Sequence, residues 1–364
     1  MTFLVSLLYG ELAQNKKVVF YTSIEYYNSI PEEFRKKIEF IEIRSPNSSS
    51  DLIFKIIELT VSILYKYKKE SGLKVFLLSS RAYSNIFLKI HSLFFCKKVP
   101  VFVFLHGELQ HLSSKQSLSH KLDGLAQLML YKFDSIFKSN YKFVVISEFV
   151  YEKLCLRVNS ALPNFISMDL PYYYGKEISQ GSTDIFTGLT ISTVGVNSRN
   201  KNSHFLNFIA DAFSKEIINE KLKLFIIGRN ENIKFNKLID VPDLGKHHLL
   251  DQEAYSNRIL QSDLLVFFNE DDKYNLISSG SYFDCIKYRK PMIALKNTQW
   301  EYNFKRFGAI GKLFDNVDEM NDYIKKILDE KVLVNSFYGK LDQARKNSDI
   351  VVNIQNYSEK FQAK

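Results

Sequence analysis

The chain has 364 residues, enough for about two domains, and its 46% apolar content is ordinary for a soluble globular protein. Three widely spaced cysteines (Cys96, Cys155, Cys285) form no CxxC pair, which argues against a disulfide framework or a zinc site and fits a reducing compartment. The formal charge of +9 is uneven: residues 1–165 hold 22 Lys and Arg against 14 Asp and Glu, and the remainder 27 against 26, so the first half is expected to meet something anionic.

Along residues 1–165 strand and helix patterns alternate. Phe3, Leu7, Leu8 and Leu12 have helical spacing and residues 18–21 form a short strand, so the strand that usually opens an α/β domain is not found at the start. Strands are predicted at 38–43 and 75–78, with helices at 52–68 and 83–95. The unbroken apolar run 101–105 predicts a central parallel strand buried on both faces, and it ends in His106-Gly107-Glu108. A helix at 122–136, a strand at 143–146 and a helix from Ser147 to Leu156 follow. Pro163, Pro171, three consecutive tyrosines and Gly181-Ser182 break the rhythm, placing a linker at 166–187.

Residues 188–340 repeat the α/β logic. A strand at 189–194 ends in Gly195, with a polar turn to Ser203 and a helix at 205–213. A strand at 222–227 ends in Gly228-Arg229, and a helix at 252–261 leads to a strand at 264–268. The stretch 275–295 joins a hydroxyl-rich turn, Ser278-Ser279-Gly280-Ser281, to a helix at 282–289, then Lys290-Pro291 and a strand at 292–295. Such a turn offers backbone N–H groups and hydroxyls to an anion. It also reads as a capped helix start, Ser281 capping with Asp284 as box partner, and one turn can do both. Helices at 320–328 and 337–346 complete the domain, and residues 341–364 are expected as a C-terminal helix packing back on the first domain.

In this order the second half resembles the donor-nucleotide domain of GT-B-type glycosyltransferases and is most similar to glycosyltransferase family 4. The carriers are Gly195 with Lys201, Gly228-Arg229, Tyr255 with Ser262-Asp263-Leu264, and Lys290-Pro291-Met292-Ile293. The first half matches more loosely through 104–107 and 144–148. The resemblance implies an α/β architecture of two Rossmann-like domains facing a cleft (GT-B). Residues 1–165 would bind acceptor, 188–340 a nucleotide-sugar, and no metal or further cofactor would be needed. Two departures stand out. The family's first carboxylate before Lys-Pro falls on Leu276, its second on Asp284, and Glu270 or Asp271 would have to substitute for the first. The arginine after the first glycine falls on Val196, with Arg199 nearby. Ser279-Gly280-Ser281 is similar to the Ser-Gly turn of another GT-B branch, so retention or inversion stays open.

The expected chemistry is stabilisation of a departing diphosphate by preorganised donors and cations. Ser278, Ser279, Gly280 and Ser281 would supply hydroxyls and N–H groups. Lys201, with Arg199 or Arg229, would supply charge at strand carboxyl ends, where open α/β sheets bind ligands. The alternative for these basic residues is solvated loop charge. Asp284 would accept from ribose hydroxyls or serve only the cap. His106 would contact the donor sugar, by resemblance, and Glu108 is the candidate general base of an inverting enzyme, its alternative being a helix N-terminal charge. No metal constellation is apparent, since His247-His248 do not face one way.

The expected function is transfer of a sugar from a nucleotide-sugar to a saccharide or lipid-linked saccharide in bacterial surface-polysaccharide assembly. A GT-B-fold nucleotide-sugar epimerase and a non-catalytic GT-B-like partner subunit, suggested by Leu276, are the alternatives. Nucleic acid is not an expected partner, because the basic residues follow no recognition pattern. No apolar run reaches the roughly 18–20 residues that span a bilayer, and no secretory leader pattern is found, so the expected location is cytoplasmic. The helix at 83–95, followed by Lys97-Lys98, would suit an anionic membrane surface on the inner face of the cell membrane, or be an ordinary core helix.

Overall fold

The computed structural model describes residues 2–361 apart from 46, 68, 71, 79, 95–98, 106–108, 110–111, 113–117, 134–139, 160–161, 163, 170–171, 176–187, 245–249, 251, 272–275, 277–278 and 331. The chain divides into two compact units, one mainly Met1–Tyr173 with Asn353–Lys364, the other mainly Tyr174–Asn275 with Ser279–Val352. Every strand pairing described in both is parallel.

The first unit opens with a helix, Thr2–Leu12, and holds two sheets. Strands β1 (Val18–Thr22) and β2 (Ile38–Glu42) form a pair, and β3 (Val75–Leu77), β4 (Val101–Leu105), β5 (Tyr141–Ile146) and β6 (Phe165–Met168) lie side by side in chain order. The run 101–105 is the buried central strand that its composition predicts, all five residues being inaccessible. Strand β6 corrects the linker boundary: Phe165–Met168 pairs with Phe143–Ile146, so the sheet continues into the stretch expected as linker from 166. Proline and polar residues flanking a four-residue strand obscure its pattern.

The second unit holds a six-stranded sheet. Its strands are β7 (Leu189–Val194), β8 (Leu222–Ile227), β9 (Ile239–Asp240), β10 (Leu264–Phe267), β11 (Met292–Leu295) and β12 (Gly311–Phe314), in the order β12-β11-β10-β7-β8-β9. Counted within the unit this is 6-5-4-1-2-3, the doubly wound order in which the chain reverses direction across the sheet between β7 and β10. Helix Val317–Asp329 starts three residues before its apolar pattern because Asn316 caps it, accepting from the Glu319 N–H at 2.9 Å. Helix Thr298–Arg306, not predicted, is capped by Asn297 in the same way, with Trp300 N donating at 2.8 Å.

The C-terminal segment divides rather than acting as one helix from 341. Helix Tyr338–Ser348 stays with the second unit, where the Tyr174 and Ser348 hydroxyls lie 2.6 Å apart. Helix Ile354–Lys360 packs on the first. There the Tyr357 ring covers Gly10, where a Cβ would run into it, and the Tyr357 hydroxyl donates to buried Glu11 at 3.2 Å. Phe361 sets its edge against Phe102 at 5.1 Å. Among the described residues no helix is long and apolar enough to cross a membrane.

Candidate functional site

The site is built where β7 and β10 diverge, the reversal point at which open α/β sheets leave a crevice beyond the strand carboxyl ends. Both strands are wholly buried, so their ladder is rigid and their ends are well placed. At the opposite end Asp263 ties them together: its carboxylate accepts from Thr190 N and Oγ1, each at 2.8 Å, while Ser192 and Ser262 hydroxyls meet at 2.6 Å. The Ser262-Asp263 pair is thus a latch for the sheet, remote from the crevice. Lys290 is structural as well, its buried ammonium donating to Leu260 O at 2.8 Å.

Beyond β7 the backbone turns at Gly195 with φ +86°, in the left-handed region that favours glycine. Gly228, after β8, has φ +110° and sits so close that a Cβ would strike the Gly195 carbonyl, its carbon 2.9 Å away. The two glycine turns therefore pack backbone to backbone. Asn197 holds them: its N–H donates to Arg229 O at 2.8 Å, its carbonyl accepts from Glu231 N at 2.8 Å, and its side chain accepts from Thr193 Oγ1 at 2.6 Å.

A 3-10 turn, Arg199–Lys201, then brings Lys201 back over the glycine, where a Cβ on Gly195 would lie 3.5 Å from the ammonium nitrogen. Burial pulls the Lys201 pKa down, opposed by the nearby carboxylates of Glu231 and Asp284. Lys201 shares a small pocket with Thr193, Asn197, Ser203, Phe268, Asn269 and Ser281. The structure thus gathers Gly195, Lys201 and Ser281 at one place, with Asp284 within electrostatic reach and Gly228 behind them.

The other candidates lie differently. Arg229 is bound to Glu231 as an ion pair, so its guanidinium is already engaged. Arg199 is exposed on the turn. His106, Glu108 and Ser278 lie outside the described residues.

The turn before helix Ser281–Lys287 departs from expectation in two ways. Gly280, not Ser281, occupies the cap position, so no side chain caps the helix and Asp284 has no box partner there. The first-turn N–H groups are also used internally: Ser281 N donates to Ser279 Oγ at 3.4 Å, and Phe283 and Asp284 N–H groups donate to Gly280 O. A seven-residue helix carries little macrodipole, so the turn contributes chiefly the Ser281 side chain. Asp284 instead accepts from the hydroxyl of half-buried Tyr255 at 3.1 Å, across 29 residues of sequence. Tyr255 carries motif resemblance, but its role in orienting Asp284 has no local signal. Asp271 is committed elsewhere, accepting from Thr298 N at 2.8 Å and Thr298 Oγ1 at 2.7 Å, so it does not replace the carboxylate absent at Leu276. Among the described residues no group of three or more His, Cys, Asp or Glu is placed to hold a metal.

Two parallel α/β units, the second wound 3-2-1-4-5-6, define a GT-B fold. No protein-family model and no curated protein matches the sequence. Solved structures do match in shape. Sucrose-phosphate synthase from Thermosynechococcus elongatus superposes at TM-score 0.64 with 11% identity, over 97% of this chain and 90% of that one. Anabaena HepE, solved in complex with UDP and glucose, gives 0.62 with 12% identity over 98% and 94%. WaaG, a glycosyltransferase involved in lipopolysaccharide biosynthesis, gives 0.60 with 11% identity over 100% and 95%. Of TarM the chain spans only about half the length, 51%.

Proposed function

We propose that the chain is a glycosyltransferase that binds a nucleotide-sugar at the second unit and passes the sugar to a saccharide or lipid-linked saccharide. The observation that carries this reading is the pairing of Gly195, in left-handed backbone, with the largely buried Lys201 at the reversal point of the doubly wound sheet. A glycine there lets a diphosphate approach the main chain, and a desolvated ammonium beside it neutralises charge that grows as the nucleotide departs. Asp284, oriented by Tyr255, would accept from ribose hydroxyls. Lys201 would stay with the leaving group throughout. His106 would steady the sugar, and Glu108 would take the acceptor proton if the reaction inverts. A role in bacterial surface-polysaccharide assembly draws support from the named work of WaaG, and a uridine donor from the UDP held by HepE.

The test is thermal-shift screening against UDP-, GDP-, CMP- and dTDP-sugars. A ligand at about 100 times its Kd raises stability by about 2.7 kcal/mol, a clear shift in melting temperature. One nucleotide class is expected to do so, and Lys201→Ala to reduce the shift by most of its size. Glu108→Ala should keep the shift and lower transfer by about 10²- to 10⁴-fold. No shift with any nucleotide at millimolar concentration would remove the donor site.

A further inference from the structure

Beside the glycine turns of the second unit stands a carboxylate that diphosphate binding does not call for. Glu231 lies two residues beyond Arg229 on the segment that follows β8, and its N–H donates to Asn197 O at 2.8 Å. With the bond from Asn197 N to Arg229 O, this ties the segment to the Gly195 turn as one further step of a parallel ladder. The Glu231 side chain meets the Arg229 guanidinium in an ion pair. It is also the carboxylate that acts most strongly on the Lys201 ammonium, ahead of Asp284. One carboxylate thus serves two cations, and the three charges gather where the two glycine turns touch.

The charge balance is unusual for an anion site. Lys201 and Arg229 bring two positive charges, and Glu231 and Asp284 cancel them. Val196, which stands where the family resemblance places an arginine, adds none. Asp284 has a task in holding ribose; Glu231 has no such task. Structural need does not account for it either. The tie to Asn197 is made by the backbone, and the Arg229–Glu231 side chains are 37% and 42% exposed, so water screens the pair and it contributes little to stability. Arg229 Nε, moreover, is buried without an acceptor, so Glu231 satisfies the guanidinium only in part. A phosphate oxygen can take the place of Glu231 on Arg229, and the displaced carboxylate, tethered by its own backbone, stays beside the bound anion.

The reaction gives that remaining charge a direction. Joined to a sugar, the outer phosphate of the donor carries one negative charge. Once the sugar has left it is a terminal phosphate, with about −1.5 to −2 at pH 7. A neighbouring carboxylate therefore repels the product more than the substrate, and more strongly in a partly buried crevice than in water.

We propose that Glu231 is a specificity-determining residue of the donor site. In the empty site it is the counter-ion of Arg229 and Lys201, and in the filled site it disfavours the nucleoside diphosphate against the nucleotide-sugar, so that product leaves more readily than substrate. This role rests on the nucleotide-sugar reading of the second unit.

Isothermal titration calorimetry of the full chain tests it with three pairs of ligands: UDP and UDP-glucose, GDP and GDP-mannose, dTDP and dTDP-glucose. The readout is the ratio of the two dissociation constants within a pair, since the contributions of base and sugar cancel when wild type and variant are compared. Glu231→Gln keeps the shape and an acceptor for Arg229 but removes the charge. For the pair that wild type binds, it should tighten the nucleoside diphosphate about tenfold more than its sugar, and high salt should narrow that difference. Glu231→Asp keeps the charge and should hold the ratio near that of wild type. Because Glu231 is exposed, circular dichroism of both variants should match wild type. Equal changes for both members of a pair, no change, weaker binding of the nucleoside diphosphate by Glu231→Gln, or an aspartate variant with the ratio of the glutamine variant would each overturn the role of Glu231 and leave the donor site in place. A wild type that binds no member of the three pairs would overturn both.

Discussion

The two units bury their helices by opposite rules. In the second, helix Val317–Asp329 puts Met320, Tyr323, Ile324 and Ile327 into the core and presents Asp318, Glu319, Asp322, Lys325 and Lys326 to solvent. In the first, helix Ala82–Phe94 buries Ser84, Asn85, Lys89 and Ser92 beside Ala82 and Leu88, and leaves Tyr83, Phe87, Ile90 and Phe94 exposed. The difference is in which side chains each outer surface presents. The comparison also separates two kinds of buried polar group. Those of the second unit lock sheet and turn geometry. Lys89 of the first is a buried cation set near an aromatic ring, 5.8 Å from the centre of Phe143.

The largest effect is expected where backbone meets backbone in the second unit. Gly228→Ala places a Cβ against the Gly195 carbonyl and holds alanine at φ +110°, which should cost about 2–5 kcal/mol. Trp300, the only tryptophan and fully buried in this unit, reports its unfolding by fluorescence in urea. Gly280→Ala, with ordinary φ and nothing within 4 Å of the new methyl, should change the midpoint little. Similar midpoints for the two variants would refute the close approach of the glycine turns.

A smaller loss is expected from Asp263→Ala. It leaves the buried Thr190 N–H without its carboxylate partner, a cost of about 1–3 kcal/mol. The same Trp300 signal measures it. Because the latch lies at the far end of the strands, the residual nucleotide-induced shift should persist at temperatures where the variant is folded. Loss of that shift with no loss of stability would move Asp263 from the scaffold to the site.

Much of this architecture is written locally. The strands Leu189–Val194 and Leu222–Ile227 are apolar runs closed by glycine, and their predicted bounds coincide with the observed ones. Helix Thr298–Arg306 escapes notice because it buries Gln299 and Asn303 beside Trp300, so no apolar period survives. The helix at 83–95 is readable as a helix, but periodicity identifies a stripe and not the side it faces. Only the long-range bond from Tyr141 to Asn85 shows that the polar side points inward. Gly195 and Lys201, which follow the strand at 189–194, and Ser281, in the hydroxyl-rich turn, are predicted residues that the fold brings together. The bond from Tyr255 to Asp284, the Arg229–Glu231 pair and the contact between the two glycines depend on chain segments meeting in space, which spacing does not encode.

The smallest expected effect tests the polar interior of the first unit. Burial pulls the Lys89 pKa down to about 8, below the ordinary value near 10.4. Between those values the unfolded chain holds a proton that the fold has released, so this group makes stability rise with pH across about 8 to 10. Above about 10 the buried tyrosines act oppositely: Tyr141 keeps its proton in the fold while the unfolded chain loses it, and stability falls. Lys201, Lys287 and Lys290, also lowered by burial, slope the same way as Lys89, so the informative quantity is a difference between two proteins. Lys89→Met removes the buried charge and keeps the volume. It should be more stable than wild type at pH 7 by about 1 kcal/mol, with the gap closing toward pH 10. Thermal melts followed by far-ultraviolet circular dichroism at pH 7, 8.5 and 9.5 measure it. A gap that stays constant over that range, or a methionine variant weaker at pH 7, would mean that the ammonium stabilises helix Ala82–Phe94 from within rather than being carried by it.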